Sequence, residues 1–165
     1  MGSKQVSKSS LEEISIRGLG VIESSNIEFK PGLTVLTGET GAGKTMVLTA
    51  LGLVLGSKSD SDLVRAGQER AVITGKFAVP KDIAKLIIEG GGEIDDGSVV
   101  ITRTVSTEGK SRVLVGGAVS SAAAVNQFAQ SLVEIHAQSS SSKLNKPAVS
   151  RELLDRFAGV DLGEY

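Results

Sequence analysis

The sequence contains no cysteine and a single histidine. The first fact excludes a disulfide framework, a thiolate nucleophile and a cysteine-based zinc site; the second excludes a histidine-rich metal centre. Aromatic residues make up only 3% of the chain, so its 40% of apolar residues must build a core from Val, Ile, Leu and Ala. No apolar run approaches the roughly 20 residues of a membrane-spanning helix, and the first residues show no apolar signal core. A soluble, cytoplasmic protein with no membrane partner is therefore expected. Positive charge is also not in excess. The formal net charge is −1, and Lys4 and Lys8 lie in a polar N-terminal stretch, so the remainder is more acidic still. Any nucleic-acid contact has to come from a local basic patch.

What the chain does have is Gly38-Glu39-Thr40-Gly41-Ala42-Gly43-Lys44-Thr45. This fits the P-loop pattern, Gly, four residues, then Gly-Lys-Ser/Thr. Gly41 and Gly43 let the backbone turn so that its N–H groups converge on phosphate oxygens. Lys44 places a positive charge between the β- and γ-phosphates, and the Thr45 hydroxyl suits Mg²⁺. A helix beginning near Gly43 adds the field of its N-terminus. The flanks agree with the motif. Residues 33–37, Leu-Thr-Val-Leu-Thr after Pro31-Gly32, read as a short strand. Val47, Leu48, Leu51, Val54 and Leu55 then recur on one helix face, with Gly56 as a left-handed cap.

The length suggests one domain with a real core. Residues 1–10 read as a flexible tail. Residues 11–17 alternate in strand fashion. Val21-Ile22 and residues 26–29 continue as a second strand, with Gly18 and Gly20 at the turn, giving an antiparallel pair. Beyond the P-loop helix, residues 63–67 suggest one helical turn ending at Gly67, and residues 71–79 a strand. Pro80 opens a helix through Ile83, Leu86, Ile87 and Ile88 that stops at Gly90-Gly91-Gly92. Residues 99–105 and 111–115 form strands about a turn at 106–110, and Gly116-Gly117 leads to a short β piece. Ser120 is the expected N-cap of a helix through Val125, Phe128, Ala129 and Leu132. Residues 132–136 follow as a buried strand, then a Ser-rich loop, and Pro147 opens a final amphipathic helix. The organisation expected is a tail at 1–10, a lobe at 11–147 and a helix at 148–165.

A P-loop does not by itself choose a family. A Walker B strand needs about four apolar residues ending in an acid that holds Mg²⁺. Leu153-Leu154-Asp155 is too short and lies on a helix, while Ile94-Asp95 falls in a Gly-rich turn. The only Asn-Lys, in Asn145-Lys146-Pro147-Ala148, lacks the Asp of a GTPase base-recognition motif. No Arg-rich lid of a small-molecule kinase is present. The residues leave three readings. One is half of an ATPase head. Another is a small complete P-loop NTPase or kinase using Asp95, Asp96 or Asp155. The third is a non-enzymatic DNA- or partner-docking module.

Residues 11–22, Leu-Glu-Glu-Ile-Ser-Ile-Arg-Gly-Leu-Gly-Val-Ile, resemble the opening of the RecN family of SMC-like DNA-repair ATPases. The P-loop with its Glu39-Thr40 pair, Asp62-Leu63-Val64-Arg65-Ala66-Gly67, Ile135-His136-Ala137-Gln138 and Leu153-Leu154-Asp155-Arg156-Phe157-Ala158-Gly159 add to the resemblance, which covers about residues 11 to 160. The fold implied is α/β, a P-loop NTPase of the ABC/SMC type: lobe I of the head, with a mixed sheet and an antiparallel β subdomain. The family's signature motif, Walker B and catalytic Glu lie in a C-terminal lobe that this sequence does not contain. Val115-Gly116-Gly117-Ala118 is no substitute, since it lacks the Ser and lies between β segments.

The resemblance implies an ATP-binding N-terminal half of a head acting in DNA double-strand-break repair and recombination, with ATP and Mg²⁺ as cofactors. Gly38, Glu39, Thr40, Gly41, Ala42, Gly43, Lys44 and Thr45 would hold the nucleotide. Lys44 and Gln138 would serve the chemistry, and Thr45 and Gln138 the metal. Ala137 and Ser139 to Ser142 depart from the family's glutamine segment, which reads Ile-His-Gly-Gln followed by His and an acid. The partners implied are the C-terminal lobe of the same head, a second head and DNA, the last through Arg65 with Lys58, Arg70 and Lys76 nearby. Arg17 is a candidate for reaching the nucleotide, and His136 a packed strand-end residue. The intact protein would be an ATPase associated with the nucleoid; this chain alone would turn over little.

Overall fold

A computed structural model describes residues 10–37 and 42–133. They belong to the first of two compact units, Met1–Val133; the second, Glu134–Tyr165, lies outside the described residues. The strand period of two is legible in the burial of nearly every β segment. β1 (Ser10–Leu19) buries Ile14 and Ile16, β3 (Arg70–Ala78) buries Ala71, Ile73, Gly75 and Phe77, and β4 (Ser98–Ser106) buries Val99, Ile101, Arg103 and Val105. With β2 (Ile22–Glu28), β5 (Ser111–Val115) and β6 (Ala118–Ser120) they form one six-stranded sheet in the order β2-β1-β3-β4-β5-β6. The two expected antiparallel groups are thus one sheet, joined where β1 pairs with β3, Ile16 opposite Ile73 and Arg17 opposite Val72.

Helix α1 (Ala42–Val54) packs across β1, β3 and β4 on the buried face. Ala50, Leu53 and Val54 are inaccessible there, and each large aliphatic side chain so buried contributes about 1.5–3 kcal/mol. Helix α2 (Lys81–Glu89) follows Pro80 as expected and buries Ile83 and Ile87. Helix α3 (Ala122–Leu132) buries Val125, Ala129 and Leu132. Its N-cap is Ser121, whose hydroxyl accepts from the Ala124 N–H at 3.0 Å; the expected cap, Ser120, is the last residue of β6. The register of a hairpin ending at Ser120 moved the helix start by one residue.

Three expectations are corrected. Residues 33–37 carry no strand pairing with the described residues, and Leu33 is 92% exposed. A strand needs a neighbour for its ladder, and none of the described strands lies beside this one. All the described pairings are accordingly antiparallel, and the mixed sheet is not seen among the described residues. Residues 132–136 do not begin as a strand: Leu132 ends α3 and Val133 caps it in extended conformation, the rest lying outside the described residues. The helical turn near residue 63 is a 3₁₀ turn, Ser61–Leu63, placed earlier than expected. The Asp60 carboxylate caps it by accepting from the Asp62 N–H at 3.1 Å, while Val64 is extended and bridges Leu19.

Arg103 is a buried cation, only 4% exposed, on the helix-facing side of β4. Burial lowers its pKa below the usual arginine value. One guanidinium nitrogen, Nη2, donates to Ser59 Oγ at 3.1 Å, and Nε has no partner. Replacing a poorly paired buried charge by an apolar side chain of similar length is often neutral or stabilising, whereas removing its partner is costly. In urea denaturation Arg103→Met is expected to be at least as stable as the parent, and Ser59→Ala less stable by about 1–2 kcal/mol. A loss above about 2 kcal/mol in Arg103→Met would show that the guanidinium is held by more than Ser59.

Candidate nucleotide site

Helix α1 begins at Ala42, one residue before Gly43, near which the sequence places a helix start. Gly38, Glu39, Thr40 and Gly41 lie outside the described residues, as do His136 and Gln138; Ala42 is the first residue of the helix. Lys44 is half-buried in the first turn and Thr45 is exposed. A Cβ built on Gly43 would meet no atom of the described residues within 4 Å, so they leave open space against the backbone there. The first turn holds no acidic residue, and no carboxylate of its own neutralises the partial positive charge of the helix start. An open approach at Gly43, an ammonium at Lys44 and a hydroxyl at Thr45 fit a polyphosphate with its magnesium ion. Of the expected site side chains, Lys44 and Thr45 lie among the described residues, adjacent in the first turn of α1.

The turn between β1 and β2 is locked against this helix start. Gly18 lies within β1, and the turn itself is Gly20-Val21. Gly20 has φ +51°, a conformation that favours glycine, and a Cβ on it would sit 2.5 Å from Met46 Sδ, so a larger residue would have to displace the Met46 side chain where the turn lies on the start of α1. The Gly20 N–H donates to the Leu63 carbonyl at 2.8 Å, and the Arg65 N–H to the Gly18 carbonyl at 2.9 Å. The Arg65 side chain then closes the turn: Nη1 donates to the Val21 carbonyl at 2.9 Å and lies 3.4 Å from that of Gly20. Arg65, read from sequence as a DNA contact, is thereby given a structural task beside the nucleotide helix. Arg17, two residues before Leu19, is exposed on β1. Sequence spacing contains no signal for the Gly20–Met46 approach, which depends on how the helix crosses the sheet.

The apolar face expected on α1 divides in two. Val47, Leu48 and Leu51 are less buried than Ala50, Leu53 and Val54; with Leu11 and Ile14 of β1 and with Phe29, Thr34 and Leu36 they line an apolar pocket of about 170 Å³. Leu48 is 50% exposed, and Val35 and Leu36 are also exposed. Asp95 pairs with Ser98 in a turn that contains Asp96 at φ +46°, Asp155 lies outside the described residues, and no group of three or more His, Cys, Asp or Glu among the described residues is arranged to hold a metal. No helix among the described residues is long and apolar enough to cross a membrane.

Helix α1, with Lys44 and Thr45 in its first turn, set on an antiparallel sheet, fits the α/β lobe of a P-loop ATPase head. A family profile described as AAA domain matches residues 13–155. The chain belongs to this AAA domain family. It is similar to DNA repair protein RecN of Streptomyces coelicolor, 48% identical over 146 residues, which covers 87% of this chain and 26% of that protein. With DNA repair protein RecN of Mycobacterium tuberculosis it shares 40% identity over 158 residues, 91% of this chain and 27% of the other. The chain thus spans about a quarter of the length of these curated relatives.

Solved structures show the same fold. The Smc head domain of Pyrococcus yayanosii, with a coiled coil and joint, superposes with TM-score 0.63 at 21% identity, over 92% of this chain and 32% of that one. A structure from work on ATP-driven dimerisation and DNA-stimulated activation of SMC ATPases gives TM-score 0.60 at 21% identity, covering 89% of this chain and 98% of the other. The recombination mediator RecF with ATP gives 0.58 at 18% identity, over 73% and 30%.

Proposed function

We propose that this chain is the ATP-binding N-terminal lobe of a RecN-like ATPase head that acts in double-strand-break repair and recombination, in the cytoplasm and in association with the nucleoid. The observation that carries the reading is the start of α1, where open space at Gly43 meets Lys44 and Thr45 on a sheet of the SMC-head type. In this reading the backbone of residues 38–43 and the Lys44 ammonium bind and orient the phosphates, the Thr45 hydroxyl and Gln138 ligate Mg²⁺, and Gln138 positions water. Bound Mg²⁺ neutralises charge that develops on the phosphoryl oxygens. The second apolar face of α1 and the exposed residues 33–36 suit a cover supplied by the remainder of the longer protein, since a helix apolar nearly all round belongs in an interior. That cover is the C-terminal lobe of the same head, and binding of ATP couples to pairing with a second head.

Steady-state hydrolysis of Mg-ATP by this chain, beside a Lys44→Ala control, tests the division of labour. Turnover no higher than the control is expected, together with measurable Mg-ATP binding by the parent. Sustained Lys44-dependent turnover would mean that the chain already holds its catalytic acid, and the half-site reading would fail.

A further inference from the structure

The sequence holds two sulfur atoms, those of Met1 and Met46, and no thiol. Among the described residues Met46 is therefore the one oxidisable sulfur. Its place is at the nucleotide helix. It follows Lys44 and Thr45 at the start of α1 and is half-buried. The thioether rests on the turn between β1 and β2. A Cβ on Gly20 would stand 2.5 Å from Sδ, 3.2 Å from Cγ and 3.9 Å from Cε, so sulfur and turn are already close-packed. Through this contact the turn touches the start of α1.

The surroundings suit an apolar side chain and not a polar one. The Gly20 N–H is committed to the Leu63 carbonyl at 2.8 Å, and the Arg65 N–H to the Gly18 carbonyl at 2.9 Å. The Arg65 guanidinium donates to the Val21 carbonyl at 2.9 Å. Oxidation turns a flexible apolar thioether into a polar, chiral sulfoxide. The sulfoxide oxygen is an acceptor, and the donors of this turn already have partners, so it needs water. Water reaches it only where turn and helix part. Oxygen added on the Gly20 side of Sδ meets a second obstacle, since no room for another atom is left there. Lys44 lies two residues before Met46, so a shift of the helix start against the turn carries the ammonium with it.

We propose that Met46 is a redox modification site: oxidation of its thioether by hydrogen peroxide loosens the β1–β2 turn from α1 and weakens nucleotide binding, and reduction of the sulfoxide restores it. In the step a sulfur lone pair takes one oxygen of the peroxide and the O–O bond breaks. The other oxygen leaves as water with both protons. Sulfur is oxidised by two electrons and the peroxide is reduced by two. Methionine sulfoxide is returned to methionine by two reductases, one for each epimer, so the change is reversible. The effect on nucleotide rests on the function proposed above; the modification itself does not.

The test treats this chain with dilute hydrogen peroxide, removes the oxidant with catalase, and locates added oxygen by mass spectrometry of its peptides. The same preparation is titrated with Mg-ATP and melted. One added oxygen at Met46 is expected, with Mg-ATP affinity lower by about tenfold and a melting temperature lower by about 4 °C. Both methionine sulfoxide reductases with a thiol reductant should reverse all three changes. Met46→Leu, which keeps the volume and lacks the sulfur, should bind Mg-ATP equally before and after peroxide. Met46→Gln, which carries a polar group at the same place, should resemble the oxidised protein with no oxidant added. A Met46 left intact by a dose that oxidises it fully in urea would overturn the proposal. So would added oxygen with Mg-ATP affinity unchanged, a loss of equal size in Met46→Leu, or a loss that the reductases do not reverse. The two readings fail separately: a parent that binds no Mg-ATP refutes the nucleotide reading, and the modification site then stands or falls on the reversible shift in melting temperature.

Discussion

Lys44→Ala is expected to lower the affinity of this chain for Mg-ATP by about ten- to a hundredfold. The side chain sits in the first turn of α1, beside the open backbone at Gly43. A hydrogen bond from a charged group to phosphate is worth about 1.5–3 kcal/mol net, and about 1.4 kcal/mol corresponds to a factor of ten. The helix start and the loop N–H groups remain in the variant, so weakened rather than abolished binding is the consistent result. Titration of a fluorescent ATP analogue in the presence of Mg²⁺ reads the change directly. Nucleotide also raises the melting temperature of whichever state binds it, so the parent should gain thermal stability at ligand concentrations where Lys44→Ala does not. An affinity within about threefold of the parent would show that the ammonium does not reach the phosphates.

The start of α1 at the candidate site was legible because its signal is local. Eight consecutive residues specify the loop, and the helix after it follows from composition and Gly56. The hairpin β4–β5 was equally legible: a turn at Thr107 to Gly109 between alternating segments fixes Thr104 opposite Arg112. What the sequence could not supply were contacts between distant segments. The pairing of Ile16 with Ile73 merges two expected antiparallel groups into one sheet, and nothing in either strand names its partner. Nor did the helix pattern reveal which apolar residues of α1 are sealed in the core, because Val47, Leu48 and Leu51 are as apolar as Ala50, Leu53 and Val54. Residues 33–37 show the same limit from the other side. Their pattern is that of a strand, but a strand forms only with a neighbour, and the described residues provide none. Arg103 was read as one more strand residue, since alternation does not distinguish a buried arginine from an exposed one.

Gly56→Ala is expected to destabilise the fold by about 3 kcal/mol or more, the largest stability effect of the substitutions considered. Gly56 ends α1 at φ +91°, where an L side chain costs about 1–2 kcal/mol of backbone strain. The methyl group would also sit 2.4 Å from the Ala122 carbonyl oxygen and 2.9 Å from the Asn126 nitrogen. Both atoms belong to the backbone of α3, so relief requires the whole helix to move away from the end of α1. That movement loosens Val125 and Ala129, which are buried in the core, and adds a packing loss of about 1–3 kcal/mol. Urea denaturation followed by circular dichroism measures the total. The consequence reaches the nucleotide site, since α1 carries Lys44 at one end and is held by α3 at the other. Mg-ATP affinity in Gly56→Ala should therefore fall when measured near its denaturation midpoint and recover in the folded baseline, whereas Lys44→Ala loses affinity under both conditions. Full stability in Gly56→Ala would mean that α3 does not pack against the end of α1 as described.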